Sequence, residues 1–128
     1  MAQVLIVDDD QPTREVLRLI LEDAGHEVVE TSGGSSALEL LRASERRVLV
    51  LLDQLMPGLD GTGVLAMVAS DLDLATRHAY ILLSADVRPL GPMALTLLTT
   101  LGVPLIRKPF DIDDLLETVA RSSGRLAG

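Results

Sequence analysis

The chain has 128 residues, of which 48% are hydrophobic and only 2% aromatic, and its net charge is −8. That length and composition predict one globular domain with an aliphatic core and exclude a disordered chain. The acidic charge argues against binding to nucleic acid or to anionic membranes, because both need clustered Lys and Arg. There is no cysteine, so disulfides and thiolate metal sites are excluded as well.

Short apolar runs alternate with helical periodicities along the chain and predict five strands and five helices. The predicted strands cover residues 3–7, 26–31, 48–52, 79–83 and 103–106. The predicted helices cover residues 11–24, 36–43, 62–70 and 93–101, with a last one that starts at 112. Residues 71–76 are predicted to be a polar connection. The domain is expected to span residues 1–121, followed by a polar tail or the start of a linker at 122–128.

Neither a signal peptide nor a membrane span is expected. No basic stretch precedes the first apolar run, and no apolar run is long enough to cross a bilayer. Together with the lack of cysteine, this favours a cytoplasmic protein. His26 and His78 lie in no recognisable motif and are expected at the surface or at a strand edge.

The regular alternation of strands and helices predicts an all-parallel sheet with helices on both faces. Right-handed crossovers leave few arrangements, and the most economical is a doubly wound α/β sheet with strand order 2-1-3-4-5. Ligands of such sheets bind outside the carboxyl ends of the strands, at the switch point between strands one and three.

Residues whose side chains can bind a ligand or react stand at the ends of four predicted strands. The first strand ends in Asp8 and Asp9, the third in Asp53 and the fourth in Ser84, and Lys108 follows the fifth. The aspartates should converge at the switch point, where their charges repel one another unless a cation joins them. A hard ion such as Mg²⁺ suits these oxygen donors, and zinc is disfavoured because neither His nor Cys is among them.

Each of these residues also has an ordinary structural explanation. The aspartates would serve as turn or helix-capping residues, Ser84 as a loop hydroxyl and Lys108 as a surface cation. However, Lys108 is the single lysine beside ten arginines, and a compact ammonium suits a single phosphate oxygen. Because four such coincidences at four matching strand ends are improbable, we interpret the residues together as one site.

Four motifs carry a resemblance to a known family. V-L-I-V-D-D-D, L-L-D-Q-L-M-P-G-L-D-G, L-L-S-A and I-R-K-P-F occur in the order and at the spacings of bacterial response-regulator receiver domains. Over residues 3 to about 121 the chain resembles this CheY-like family. The resemblance implies the flavodoxin-like fold and a role in two-component signal transduction. It also implies that the protein is not an enzyme acting on other substrates, but catalyses only its own phosphorylation and dephosphorylation.

The resemblance further implies a role for each matching residue. Asp53 would accept a phosphoryl group from a sensor histidine kinase or a phosphotransfer protein, in a reaction that requires Mg²⁺, with Mn²⁺ as a substitute. Ser84 holds the family's Ser/Thr position and Lys108 its lysine position, and the bond from Lys108 to Pro109 is expected to be cis. The implied metal ligands are Asp8 (mainly through water), Asp9, Asp53 and the backbone carbonyl of Leu55.

Two features depart from the family pattern. Leu105 stands three positions before the lysine, where an aromatic switch residue is usual, so that either backbone shifts carry the signal or the coupling is weak. The helix predicted over residues 93–101 is apolar nearly all round, and it either packs deeply or exposes Leu95 and its neighbours. We hypothesise that the face formed by the fourth predicted helix, the fifth strand and the fifth predicted helix binds a partner or a second copy of the chain.

Two other classes of function stay open at this point. One is a receiver-like interaction module that is never phosphorylated. The other is a Mg²⁺-dependent phosphohydrolase with an aspartate nucleophile, similar to haloacid-dehalogenase-like enzymes. Those enzymes need a second aspartate two residues after the nucleophile, where this chain has Leu55.

Overall fold

The computed structural model describes residues 2–85 and 89–127. The strands are β1 (Gln3–Val7), β2 (Glu27–Thr31), β3 (Val48–Asp53), β4 (Ala79–Ser84) and β5 (Leu105–Arg107). The helices are α1 (Gln11–Asp23), α2 (Gly34–Ala43), α3 (Gly61–Ala69), α4 (Leu72–Arg77), α5 (Pro92–Leu101) and α6 (Ile112–Ala127).

The five strands form one parallel sheet in the order β2-β1-β3-β4-β5, which confirms the predicted fold. Val7 is in register with Leu52, so the residues that follow them leave the same edge of the sheet side by side. Asp53 is in turn level with Leu83 on β4. The strand order and register therefore bring the chemically active strand ends together.

The core consists of one layer on each face of the sheet. Along β3, Val50 and Leu52 face the layer under α2, α3 and α5, whereas Leu49 and Leu51 face the layer under α1 and α6. This alternation follows from the two-residue period of a strand. All six residues of β3 are buried, as expected for a central strand covered on both faces. A slip in register would reverse both layers, so the position of Asp53 is firmly determined.

The prediction of a polar connection over residues 71–76 was wrong, because this segment contains helix α4. The Asp71 carboxylate caps the helix by accepting the Leu74 N–H at 3.3 Å. The Leu74 side chain is fully buried, and the Arg77 guanidinium donates to the Leu41 carbonyl at 3.1 Å. A helix of six residues is too short to show a clear apolar period, and it forms here through its cap and these tertiary contacts.

Helix α6 also differs from the prediction, since it continues through the residues interpreted as a polar tail. Ser122 is buried and Leu126 packs against the layer under α1 and α6. Arg125 donates to the Gly102 carbonyl at 3.3 Å. No structural boundary therefore falls after residue 121, while Gly128 itself lies outside the described residues.

His78 is buried rather than at the surface, with 4% of its area exposed. Its Nδ1 accepts the Val48 N–H at 3.0 Å, and its Nε2 lies 3.1 Å from the Leu41 carbonyl, to which it donates. Burial is the main cause that lowers the pKa of His78, which keeps the ring in this neutral form. The ring thus links the end of α2 to the starts of β3 and β4.

Gly61 lets α3 begin in close contact with the end of β3. A Cβ atom at this position would lie 2.8 Å from the Asp53 carbonyl oxygen and 2.8 Å from the Gln54 Cα. Because both are backbone atoms, Gly61→Ala must displace the helix from the strand. We expect it to lower the free energy of unfolding by about 1–3 kcal/mol, measured by urea denaturation.

Gly124→Ala is the matched control, since a Cβ at Gly124 in α6 would meet no atom within 4 Å. It should raise the free energy of unfolding by up to about 1 kcal/mol, because Ala is the better helix former. Equal effects of the two substitutions would contradict the proposed close contact at Gly61.

Candidate functional site

Three aspartates converge at the carboxyl edge of the sheet, as predicted. Ligand oxygens of Asp8, Asp9 and Asp53 all lie within 4.8 Å of one another. Asp8 and Asp53 are buried, with 2% and 5% of their area exposed, whereas Asp9 is exposed. Carboxylates this close repel one another and attract a cation.

Lys108 supplies a cation from the protein itself. Its Nζ donates to Asp8 Oδ2 at 3.1 Å and to Asp53 Oδ1 at 3.0 Å. Its backbone N–H donates to the Ser84 carbonyl at 2.9 Å, just beyond β5, and the bond to Pro109 is cis. The lysine is therefore held at both ends and joins the two buried aspartates.

The pKa values of this group reflect burial and pairing together. Burial raises the pKa of Asp53, and the charges of Asp8 and Asp9 raise it further, while the hydrogen bond from Lys108 opposes the rise only in part. Burial alone would lower the pKa of Lys108, but its hydrogen bonds and charge interactions with Asp53 and Asp8 outweigh burial and raise it. The lysine therefore stays protonated at neutral pH.

Ser84, the last residue of β4, carries a buried hydroxyl. The residue is 2% exposed, and its buried Oγ has no hydrogen-bond partner among residues 2–85 and 89–127. An unpaired buried hydroxyl costs about 1–3 kcal/mol and is uncommon in native proteins. The loop that was expected to follow it includes Asp86, and residues 86–88 lie outside the described residues.

The strand-end carboxylates line a cavity of about 560 Å³, together with Leu55, Ala85 and Lys108. The cavity is open to solvent where Asp9 and Leu55 are exposed. It is lined by four carboxylates, those of Asp8, Asp9, Asp10 and Asp53, and the described residues around it include the Met56 thioether but no thiol or imidazole. Since Mg²⁺ prefers hard oxygen ligands and keeps several waters, these residues fit that ion. That the backbone carbonyl of Leu55 is also a Mg²⁺ ligand stays a prediction.

No aromatic side chain is available as a switch beside the site. Leu105 is partly buried and packs against the layer under α5. Tyr80 is 5% exposed, and its hydroxyl donates to the Leu74 carbonyl at 2.8 Å, which fixes the ring. The remaining aromatic residue, Phe110, packs against the opposite layer, under α1 and α6.

Helix α5 buries one side and exposes apolar residues on another. Ala94 and Leu97 are buried against the core, whereas Met93 and Leu95 are 61% and 52% exposed. Of the two arrangements that the sequence allowed for this helix, the structure therefore has the one in which Leu95 faces solvent.

Sequence reasoning missed one contact of the acidic pair. The Arg14 guanidinium, on α1, donates from Nη1 to the backbone carbonyl of Asp8 at 2.6 Å. The only sequence signal is an arginine in the first turns of a helix that starts beside the acidic residues. Its target is a backbone atom, which the sequence does not mark.

Comparison with known proteins assigns the chain to a family. Residues 4–120 match the model of the response regulator receiver domain. The chain therefore belongs to the response-regulator receiver domains of two-component systems.

Individual relatives agree with this family. The chain is 35% identical to the CAI-1 autoinducer sensor kinase/phosphatase CqsS of Vibrio cholerae over 121 residues, covering 92% of this chain and 17% of that protein. It is 34% identical to the response regulator FleR of Pseudomonas aeruginosa over 131 aligned residues, covering 99% of this chain and 26% of that protein. The chain thus spans well under half the length of these two relatives.

Solved structures show the same fold over nearly the whole chain. A CheY-like receiver domain from Methanospirillum hungatei superposes with a TM-score of 0.82 at 31% identity, covering 98% of both chains. The receiver domain of a histidine kinase from Syntrophus aciditrophicus superposes with a TM-score of 0.81 at 28% identity, covering 100% of this chain and 92% of that one. Within residues 2–85 and 89–127, no helix is both long enough and apolar enough to cross a membrane.

The raised pKa of Asp53 predicts a pH dependence of stability. Between the ordinary value of 3.8 and the raised value, the folded protein holds a proton that the unfolded chain has released. The contribution of Asp53 to the free energy of unfolding therefore falls as pH rises through that window and stays low above it. Asp53→Asn removes this penalty, so at pH 7 the variant should unfold at a higher urea concentration than the wild type.

Asp73→Asn serves as the control, because Asp73 is an exposed aspartate paired with Arg77. Its effect on the free energy of unfolding should stay within about 0.5 kcal/mol. If Asp53→Asn proved less stable than the wild type at pH 7, the pairing with Lys108 would outweigh burial, contrary to this account.

Proposed function

We propose that this receiver domain accepts a phosphoryl group on Asp53 from a phosphohistidine, carried by a sensor histidine kinase or a phosphotransfer protein in the cytoplasm. The observation that supports this most strongly is the placement of Asp53. Its carboxylate ends the central strand, contacts the chain's single lysine at 3.0 Å and lies beside two other carboxylates. A general surface aspartate would have none of these neighbours.

In the proposed transfer, an Asp53 carboxylate oxygen attacks the phosphorus of the phosphohistidine. A P–O bond forms, the P–N bond breaks, and the electron pair returns to the imidazole nitrogen, which takes a proton from water. Asp53 Oδ1 accepts a hydrogen bond from Lys108, so the second carboxylate oxygen is the one left to attack. Hydrolysis by water later breaks the P–O bond, restores the carboxylate and releases inorganic phosphate.

The site's residues would hold Mg²⁺ through Asp8, Asp9, Asp53 and the Leu55 carbonyl. When bound, the ion would neutralise charge on the transferring group and align it with the attacking oxygen. Asp8 and Asp9 would hold the ion beside Asp53, while Lys108 would offer a second positive charge to a phosphoryl oxygen. We propose that this chemistry acts only on the domain itself and has no other substrate.

Ser84 is the residue that we expect to respond to phosphorylation. A phosphoryl group adds about −1.5 to −2 charges and three acceptor oxygens. We expect the Ser84 hydroxyl, which has no partner among residues 2–85 and 89–127, to donate to one of them. This new bond would favour one of two arrangements of the neighbouring face. Since Leu105 replaces the usual aromatic residue and Tyr80 is fixed, backbone movement rather than ring rotation would carry the change.

We place the output of this change on the face formed by α5, β5 and α6. Met93 and Leu95 expose apolar surface there, and such surface often marks an interaction site. The partner is either a second copy of the chain or an output protein.

Self-association can be measured directly. If the face forms a homodimer, the mass measured by light scattering should rise with protein concentration and rise further with a phosphoryl mimic. Leu95→Gln should abolish this rise, because it makes the face polar, whereas Leu19→Gln on α1, where Leu19 is 70% exposed, should not. A monomer mass under all conditions would rule out the homodimer and leave a separate output protein.

The proposed phosphorylation predicts the result of an intact-mass measurement with acetyl phosphate or phosphoramidate. The wild type should gain one phosphoryl group in the presence of Mg²⁺ and none after chelation. Asp53→Asn should gain none, because the amide is not a nucleophile. Lys108→Met should be phosphorylated at least tenfold more slowly, since the loss of one electrostatic partner of a transition state costs about that much or more.

Ser84→Ala is the matched variant for this experiment. It should still gain the phosphoryl group, but it should lose the conformational change that follows. If the wild type gained no phosphoryl group from small donors or from a phosphorylated kinase, the interaction module that is never phosphorylated would replace this proposal. Multiple turnover of an added phosphate ester would instead favour a phosphohydrolase.

A further inference from the structure

We propose that Arg14, held by Glu30, is a positioning residue for the acidic pair, and that it keeps the Asp8–Asp9 segment in the geometry that binds the cation. The inference rests on the proposed function for the identity of that cation. Arg14 contacts the backbone of the site but lies in none of the four motifs that resemble the family.

Arg14, on α1, makes hydrogen bonds both to the acidic segment of the site and to Glu30 on β2. Arg14 Nη1 donates to the Asp8 carbonyl at 2.6 Å, while Arg14 Nε donates to Glu30 Oε1 at 3.0 Å. The second oxygen of Glu30 accepts a hydrogen bond from Arg18, one turn further along α1. The Arg14 side chain is 16% exposed. Because the planar guanidinium uses one edge for each partner, its orientation is fixed by two elements at once.

Asp9 depends on this arrangement more than its neighbours do. Asp8 has three further contacts: its N–H donates to the Thr31 carbonyl, and its carboxylate accepts the Asp10 N–H and the Lys108 ammonium. By contrast, no residue in the described part of the chain donates a hydrogen bond to the Asp9 carboxylate. The position of Asp9 is therefore set through the backbone on either side of it, where Arg14 holds the Asp8 carbonyl and Asp10 caps α1.

The electrostatics of Arg14 alone would work against cation binding. A guanidinium close to the acidic group repels a divalent ion and competes with it for the carboxylates. Glu30 lies between two arginines and offsets this charge, so what Arg14 contributes at the site is geometry. The positioning account and a purely electrostatic account therefore predict opposite signs when Arg14 is removed.

Mg²⁺ affinity, measured by calorimetry on the unphosphorylated protein, separates the two accounts. Arg14→Met should raise the Kd for Mg²⁺ about tenfold, as loss of an outer-shell partner typically does. Arg14→Lys keeps the charge but cannot serve both partners at once, so its Kd should also rise. Arg46→Met is the control, since Arg46 pairs with Glu27, which lies on β2 like Glu30 but away from the site. The Kd of this variant for Mg²⁺ should not change. Tighter or unchanged binding by Arg14→Met, or wild-type binding by Arg14→Lys, would overturn the proposal.

Amide hydrogen exchange without metal gives a test that does not depend on the proposed function. The Asp10 N–H is bonded to the Asp8 carboxylate at 2.9 Å, so its exchange reports on the order of this segment. Arg14→Met should speed that exchange at least tenfold relative to the amide of Leu51 in the core. Equal acceleration at both amides would mean general destabilisation and would overturn the proposal, as would no change. If the wild type bound no Mg²⁺, the metal dependence of the proposed function would fail, and this exchange ratio alone would decide the role of Arg14.

Discussion

The repulsion between three carboxylates at one edge of the sheet is the constraint on which the rest of the site depends. Two of them are buried, where an unpaired charge is costly, and Lys108 reduces that cost by contacting both. One ammonium cannot neutralise three negative charges, so the group is left with a deficit of positive charge. That deficit is the physical reason to expect a divalent cation and the transfer of an anionic group at this place.

The fold keeps these charges together because its central strand has no alternative register. β3 is buried on both faces, and the strands beside it carry Asp8 and Ser84 to the same edge. Gly61 permits α3 to start against the end of that strand, and Arg14 attaches the acidic segment to α1 and β2. The rigid sheet thus holds charges that would otherwise separate, while the neighbouring face with Leu105 and α5 is where we propose that movement occurs.

The sheet order and the convergence of Asp8, Asp9, Asp53 and Lys108 could be predicted from the sequence because they depend on local patterns. Apolar runs identify the strands, and aspartate, serine and lysine stand directly at their ends. The parts that could not be predicted depend on tertiary contacts. Helix α4 requires its capping aspartate and a buried Leu74, and the extension of α6 depends on Ser122 and Leu126 packing inward. His78 looks like a surface residue until its two backbone partners are known, and Arg14 acts on a carbonyl that every residue possesses.

The most direct test of the central claim is to locate the phosphoryl group by borohydride trapping. Reduction of an aspartyl phosphate converts the aspartate to homoserine, which tandem mass spectrometry assigns to one position in the sequence. After treatment with phosphoramidate and Mg²⁺, the account predicts homoserine at position 53 and aspartate at positions 8 and 9. Homoserine at position 8 or 9, or modification of His26 or His78 in place of an aspartate, would contradict the assignment of Asp53 as the acceptor.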